Sequence, residues 1–214
     1  MTISTLTDSP TVTTTAPFSI RAAVLDDLLA GALIAACKNS AQLPTLAAVL
    51  LEITPEGITA AATDRYRLFI GESTREQLGA VDNLPTVSLL IPRDEVENLR
   101  RFLKPQLGKN SAGLVSLSLN AGRLIAATLN GEINLLLSSG TFPPFRQLIP
   151  TEFAGSDSIA LNPKFLADLA KVPGIDKDIP LKIKINSSNK PIFAQYAANS
   201  VNWNLLLMPM RLNA

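Results

Sequence analysis

Residues 87–139 read VSLLIPRDEVENLRRFLKPQLGKNSAGLVSLSLNAGRLIAATLNGEINLLLSS, and the period of their apolar positions changes from strand to helix and back to strand. VSLLI is a short strand. PRDEVENLRRFLKPQ is a helix opened by Pro92 in its first turn, where a missing N–H leaves nothing unpaired. LVSLSL, RLIAATL and INLLLSS then alternate as strands, split by Asn120-Ala121-Gly122 and by the tight-hairpin signal Asn130-Gly131. The same order, strand, helix, three strands, occurs on both sides of this stretch.

Before it, FSIRA is a strand and LDDLLAGALIAACKN a helix with acid at its start and Lys38-Asn39 at its end. LAAVLLEI, a turn at Thr54-Pro55-Glu56-Gly57, ITAAATD and YRLFIGES complete the first copy. After it come SIAL, the helix NPKFLADLAKV with Asn162 as N-cap and Pro163 at N1, and the strands LKIKI, PIFAQYA and VNWNLLLM. A period of this kind is an internal repeat, and the class it implies is α+β.

A βαβββ module carries a helix on one face of one sheet and cannot bury that face alone, so modules should pair. Modules one and two make a full domain over residues 18–152. Module three, residues 153–214, is a half domain whose apolar alternation, Leu181, Ile183 and Ile185, calls for a partner. Residues 1–17 are Thr- and Pro-rich and read as a flexible tail without the basic start or apolar centre of a secretory signal.

Composition narrows the function. At 214 residues, 47% hydrophobic and 17% charged, the chain is an ordinary globular one. Its 19 basic and 18 acidic residues leave a net charge of +1, so any hold on nucleic acid must come from segregated basic groups. There is no histidine, no phosphate-cradling glycine loop and no metal-ligand spacing, so the reading names no catalytic residue, no metal site and no cofactor. Asp64 and Glu72 are the conceivable catalytic carboxylates, but a carboxylate beside an arginine is more often a structural ion pair. The single cysteine, Cys37, sits in an apolar run too short to span a bilayer and reads as a buried thiol of a cytosolic protein, with no membrane partner.

ATDRYRL at 62–68, GTFPPFRQLIP at 140–150 and MPMRL at 208–212 together resemble three landmarks of the bacterial DNA polymerase III beta sliding clamp, in the same order and spacing. Residues 18–152 resemble that family's middle domain, and residues 153–214 the second half of its last domain. Two departures stand out: Arg65-Tyr66 replaces a Gly-His pair, and Pro144-Phe145 replaces Asp-Tyr. The resemblance implies the DNA-clamp fold, closed into a ring. It implies a non-enzymatic processivity factor, cytoplasmic and nucleoid-associated, that encircles duplex DNA without regard to sequence. Its partners would be a DNA polymerase, a clamp loader and other proteins that dock by short linear peptides.

Rings of that family are built from twelve modules, six to a chain; three to a chain implies a homotetramer, with a trimer as the alternative. With half domains completed across two-folds, the expected order around the ring is one, two, three, three, two, one, and the two faces are alike. The DNA-facing residues would be Arg93, Arg100, Arg101 and Lys104 on helix two, and Lys164 and Lys171 on helix three. By position, the peptide pocket would include Leu46, Thr63, Arg67, Leu68, Pro143, Leu148, Leu206, Met208, Pro209, Met210, Arg211 and Leu212. Met208 and Met210 suit a site that adapts to several partners, and Pro209 stops the sheet ladder. The plainer reading is that Met208 to Leu212 only closes a core. The competing function is an adaptor or decoy that binds clamp-interacting peptides without encircling DNA.

Overall fold

The computed structural model describes residues 14–38, 44–80, 82–107, 113–149, 159–175 and 180–210. Module one consists of β1 (Phe18–Arg21), α1 (Ala22–Ala35), β2 (Ala48–Thr54), β3 (Gly57–Thr63) and β4 (Arg67–Thr74), followed by a short α2 (Arg75–Leu78). Module two is β5 (Val87–Pro92), α3 (Arg93–Leu103), β6 (Leu114–Asn120), β7 (Arg123–Thr128) and β8 (Gly131–Leu136). Module three is α4 (Pro163–Leu169), β9 (Lys182–Lys184), β10 (Ile192–Ala198) and β11 (Val201–Leu207).

The first two modules exchange their first strands. β1 lies beside β6, with Ile20 opposite Val115, and β5 lies beside β2, with Ile91 opposite Val49. One sheet therefore runs β1-β6-β7-β8, and a second, of seven strands, runs β5-β2-β3-β4-β11-β10-β9. α1 and α3 pack side by side on the inner faces, over a core that includes Leu25, Leu28, Val96 and Leu99. α3 buries Val96, Leu99 and Leu103 on one side only, with Asp94 and Glu95 in its first turn and Arg100 and Arg101 in its last, matching its dipole. α1 is buried almost all round because β11 reaches it from module three: the Trp203 ring fills the space left by Gly31 on α1 and Gly71 on β4, and a methyl at Gly31 would overlap that ring.

Several expectations need correction. α1 begins at Ala22 and ends at Ala35, so Asp26 and Asp27 lie in its second turn and Lys38 lies beyond its end. Pro92 ends β5 and serves as N-cap of α3, one position before the first turn. The tight turn before β8 is Leu129-Asn130, because Thr128 is opposite Gly131. Residues 159–161 of SIAL form no strand, and Ser158 lies outside the described residues. α2 was not anticipated, although Thr74 and Gln77 form a capping box and Gly79 ends the helix at φ +61°. Thr15, placed in the tail by the sequence, is bonded to the Leu119 backbone through both its own backbone N–H and its hydroxyl oxygen. The order of modules also differs: module three joins module one through β4 and β11, not module two.

Candidate functional site

β2, β3 and β4 are apolar on both faces, which a sheet with one wet face would not be. Their outer side chains, including Leu50, Ala61, Leu68 and Ile70, form a second, smaller core with Leu206 and Phe193 of module three. Phe142 and Phe145 cover it, their rings edge to face at 5.9 Å. The segment Phe142–Phe145 thus closes over a sheet that already spans two modules, and the site is built where these parts converge.

The loop between β3 and β4 is held by its own side chains. Asp64 Oδ1 accepts the backbone N–H groups of Tyr66 and Arg67, both at 3.1 Å, and the Thr63 hydroxyl donates to the Arg67 carbonyl at 2.7 Å. Arg65 stands at φ +76°, in the left-handed region, where the resembled family has glycine. The Met208 N–H donates to the Tyr66 carbonyl at 2.9 Å, so β11 continues along the loop; Pro209 then turns the chain, and the Met210 N–H donates to the Ala160 carbonyl at 2.8 Å.

Arg67 is the hinge pin of this junction. Its Nε donates to Asp64 Oδ2 at 3.0 Å, and one of its terminal nitrogens pairs with Asp168. The guanidinium lies 4.9 Å from the centre of the Phe165 ring, and Tyr66 stacks on the same ring at 6.1 Å. Asp168 is buried and also pairs with Lys171. The arginine is therefore a bond between modules one and three and no free pocket group.

A cavity of about 640 Å³ lies between β2, β5 and the segment 138–147, with Leu50, Leu90 and Phe142 in its lining. Hydroxyls of Ser88, Ser138 and Thr141 also line it, together with the Arg146–Glu52 ion pair at 2.5 Å. That hydrogen bond to Glu52 holds the Arg146 guanidinium protonated even more firmly than usual. The size and mixed lining are those of a small-molecule or peptide-anchor pocket. Of the ten expected pocket residues that are described, Pro143 alone lines it.

The other described ones lie outside that lining. Leu46, Leu68 and Leu206 are buried, and Thr63 and Arg67 brace the loop. Leu148, Met208 and Met210 are 55%, 42% and 52% exposed, and Tyr66, which is not among the expected pocket residues, is 61% exposed. Pro209 is half-buried. Arg211 and Leu212 lie outside the described residues.

Of the expected DNA-facing groups, Arg93 donates to the Leu33 and Ala36 carbonyls at the end of α1 and pairs with Glu97. Arg100 is bound to the buried Asp26 through two nitrogens, at 2.8 and 3.3 Å. Lys171 pairs with Asp168. Arg101, Lys104 and Lys164 are exposed. The outward stripe of α3 and its extension is Asp94, Glu97, Arg101 and Lys104, two acids then two bases; that of α1 is Ala23, Asp27, Ala30 and Ile34, with no base. No group of histidine, cysteine and carboxylate side chains among the described residues could hold a metal, and no described helix is long and apolar enough to cross a membrane.

No protein-family model matches the sequence, and no curated relative does. Solved structures do match in fold. A DNA polymerase III beta subunit from Thermotoga maritima aligns with TM-score 0.76 at 15% identity, covering 97% of this chain and 69% of that one. A Pseudomonas aeruginosa sliding clamp solved with griselimycin bound aligns at 0.74 and 18%, covering 98% and 68%. A Bacillus subtilis sliding clamp aligns at 0.73 and 13%, covering 97% and 67%. The chain has the fold of bacterial sliding clamps and matches about two-thirds of their length.

Proposed function

We propose that the chain is a DNA sliding clamp: a ring that encircles duplex DNA and tethers a DNA polymerase, a clamp loader and other proteins that dock by short peptides. The observation that carries this is the β4–β11 pairing, six residues long from Asn202↔Glu72 to Leu207↔Arg67, which extends one sheet across modules in the manner an arc requires. Four copies would close the arc, with modules in the order two, one, three, three, one, two along each pair of chains. Module three would be completed by its twin: β9 is the last strand of its sheet among the described residues, residues 159–161 form no strand, and modules one and two show that first strands are exchanged. Ile183 and Ile185, 42% and 37% exposed, would be covered there.

Sliding needs topological retention and weak contacts, since every phosphate gripped adds a salt-sensitive term that holds the protein in place. The neutral outward stripe of α3 suits that need. Peptides would dock on Tyr66, Leu148, Met208 and Met210, where the thioethers accommodate varied apolar side chains, and a further anchor would reach the cavity that Pro143 lines.

Loading on nicked circular DNA tests this reading: the protein should remain on the circle through gel filtration and leave after the DNA is linearised. Equal loss from both forms would refute encirclement. The bare α1 stripe and the ion-paired Arg93 and Arg100 favour a second reading, a peptide-binding adaptor that never encircles DNA; it expects peptide binding with no topological retention.

A further inference from the structure

β8 and β11 are the same strand of two modules, and the repeat is closer there than elsewhere: residues 134–137 and 204–207 both read NLLL. The hairpins agree in register, because Thr128 is opposite Gly131 and Ala198 opposite Val201. Gly131 thus corresponds to Val201, Asn134 to Asn204 and Leu136 to Leu206. The inward positions match in burial, with Leu135 and Leu205 both at 0%. The outward ones do not: Leu206 is 3% exposed and Leu136 is 52% exposed. The difference is a neighbour. Leu206 sits opposite Leu68 of β4, while β8 ends its sheet among the described residues.

The backbone is turned to receive such a neighbour. In β11 the residues of even number face β4, as the Met208 N–H shows by donating to Tyr66. In β8 the matching residues face outward: the Leu136 N–H leaves the sheet and donates to Glu95 Oε1 at 3.3 Å. The edge carries no lysine or proline to blunt it, and the Glu132 carboxylate is occupied by the Asn134 amide at 3.1 Å.

We infer that β8 pairs antiparallel with β8 of a second copy, about a two-fold axis at Asn134. The occupant follows from the molecule's own precedent, in which a module's last strand is covered by another last strand. Among the described residues, β4 and β11 already cover each other, which leaves β8 to its counterpart in a second chain. Centring the axis on Asn134 places Leu136 opposite Glu132 and keeps the two Glu132 carboxylates apart, whereas an axis at Glu132 would oppose them. The pairing stands on the likeness of β8 to β11. It rests on the ring reading only for the number of copies, where it supplies the second two-fold contact, after that between half domains, that would close a ring.

Two variants and a crosslink test it on the full chain. The Asn134 N–H faces the edge, so Asn134→Pro removes a donor from the interface and none from the β7 ladder. Leu136→Lys puts a charge on the same edge. Both should keep the far-UV circular dichroism of the parent and halve its mass in sedimentation equilibrium. In a Cys37→Ser background, Asn134→Cys should join two chains by an oxidation-dependent disulfide, while Asn120→Cys, exposed at the end of β6, should not. Unchanged mass in both variants together with no disulfide through position 134 would overturn the β8 pairing and leave the ring reading standing on other contacts. A parent protein monomeric at micromolar concentration would overturn both.

Discussion

At the scale of single residues, the site contains a strained backbone position and a tight packing contact, and both can be measured. Arg65 at φ +76° accepts a conformation that costs a side-chain-bearing residue roughly 1–2 kcal/mol, while glycine there would lose somewhat more unfolded-state freedom. Arg65→Gly should therefore raise stability by about 0.5–1 kcal/mol in urea titration; a loss of stability would mean that its side chain makes a compensating contact. Gly31 is the opposite case. Gly31→Ala forces a methyl into the Trp203 ring, and the displaced ring has Gly71 and Leu28 at its back. Overpacking of this kind costs about 1–3 kcal/mol, so unfolding should shift by that much, and Trp203 fluorescence should change with it. Trp203 Nε1 finds no hydrogen-bond partner among the described residues, consistent with a ring placed there for its volume. The sequence marked Gly31 only as a glycine within an apolar helix; that signal indicates a close approach but cannot say from which residue, over a hundred positions away, the approach comes.

At the scale of elements, α1 and α4 are where charge decides behaviour. Burial is the largest influence on Asp27 and raises its carboxyl pKa above the usual 3.8; a hydrogen bond from Asn199 and the charge of Arg100 oppose the shift, and the neighbouring Asp26 adds to it. The folded state then binds the proton more tightly than the unfolded chain, so this group's contribution to stability is present below pH 3.8 and is lost as pH rises through the folded pKa. Asp27→Asn should accordingly be more stable than the parent at pH 7, with the difference shrinking toward pH 4 in thermal melts. α4 is attached through Arg67: Arg67→Ala would leave Asp168 buried with only Lys171, a loss of about 3 kcal/mol or more, and Arg67→Lys would restore only part because it cannot pair with Asp64 and Asp168 at once while lying flat on Phe165. Hydrogen exchange should show faster opening of β11 and the loop at 64–66 in Arg67→Ala, ahead of β6 and β7. Period and turn chemistry made the helices and most strands legible. SIAL was not, because a strand needs a ladder as well as a pattern, and the one bond from the Met210 N–H to the Ala160 carbonyl does not make one.

At the scale of the whole molecule, the repeat was legible except for the first strand of module three, and its arrangement only in part. Lengths and turns identify three modules, but adjacency depends on which edges pair, and the β4–β11 contact is made by residues such as Leu68 and Leu206 that any buried strand would contain. The same holds for the basic residues: Arg93, Arg100, Arg101 and Lys104 look alike in the sequence, yet the first two are held by carbonyls and Asp26, and only the last two face solvent. This changes which variants probe DNA. Arg100→Ala would strip the buried Asp26 of its partner and report on stability. Arg101→Ala with Lys104→Ala removes two exposed charges from a stripe that also holds Asp94 and Glu97. If the ring retains DNA by enclosure, the double variant should load more slowly and lose some affinity for linear duplex at low salt, with a salt slope smaller by up to about 2 because each phosphate contact contributes roughly 0.9. Its lifetime on nicked circles at raised salt should match the parent's, since the barrier there is opening of the ring. A lifetime that falls in step with the linear affinity would mean that charge, and not closure, holds the DNA.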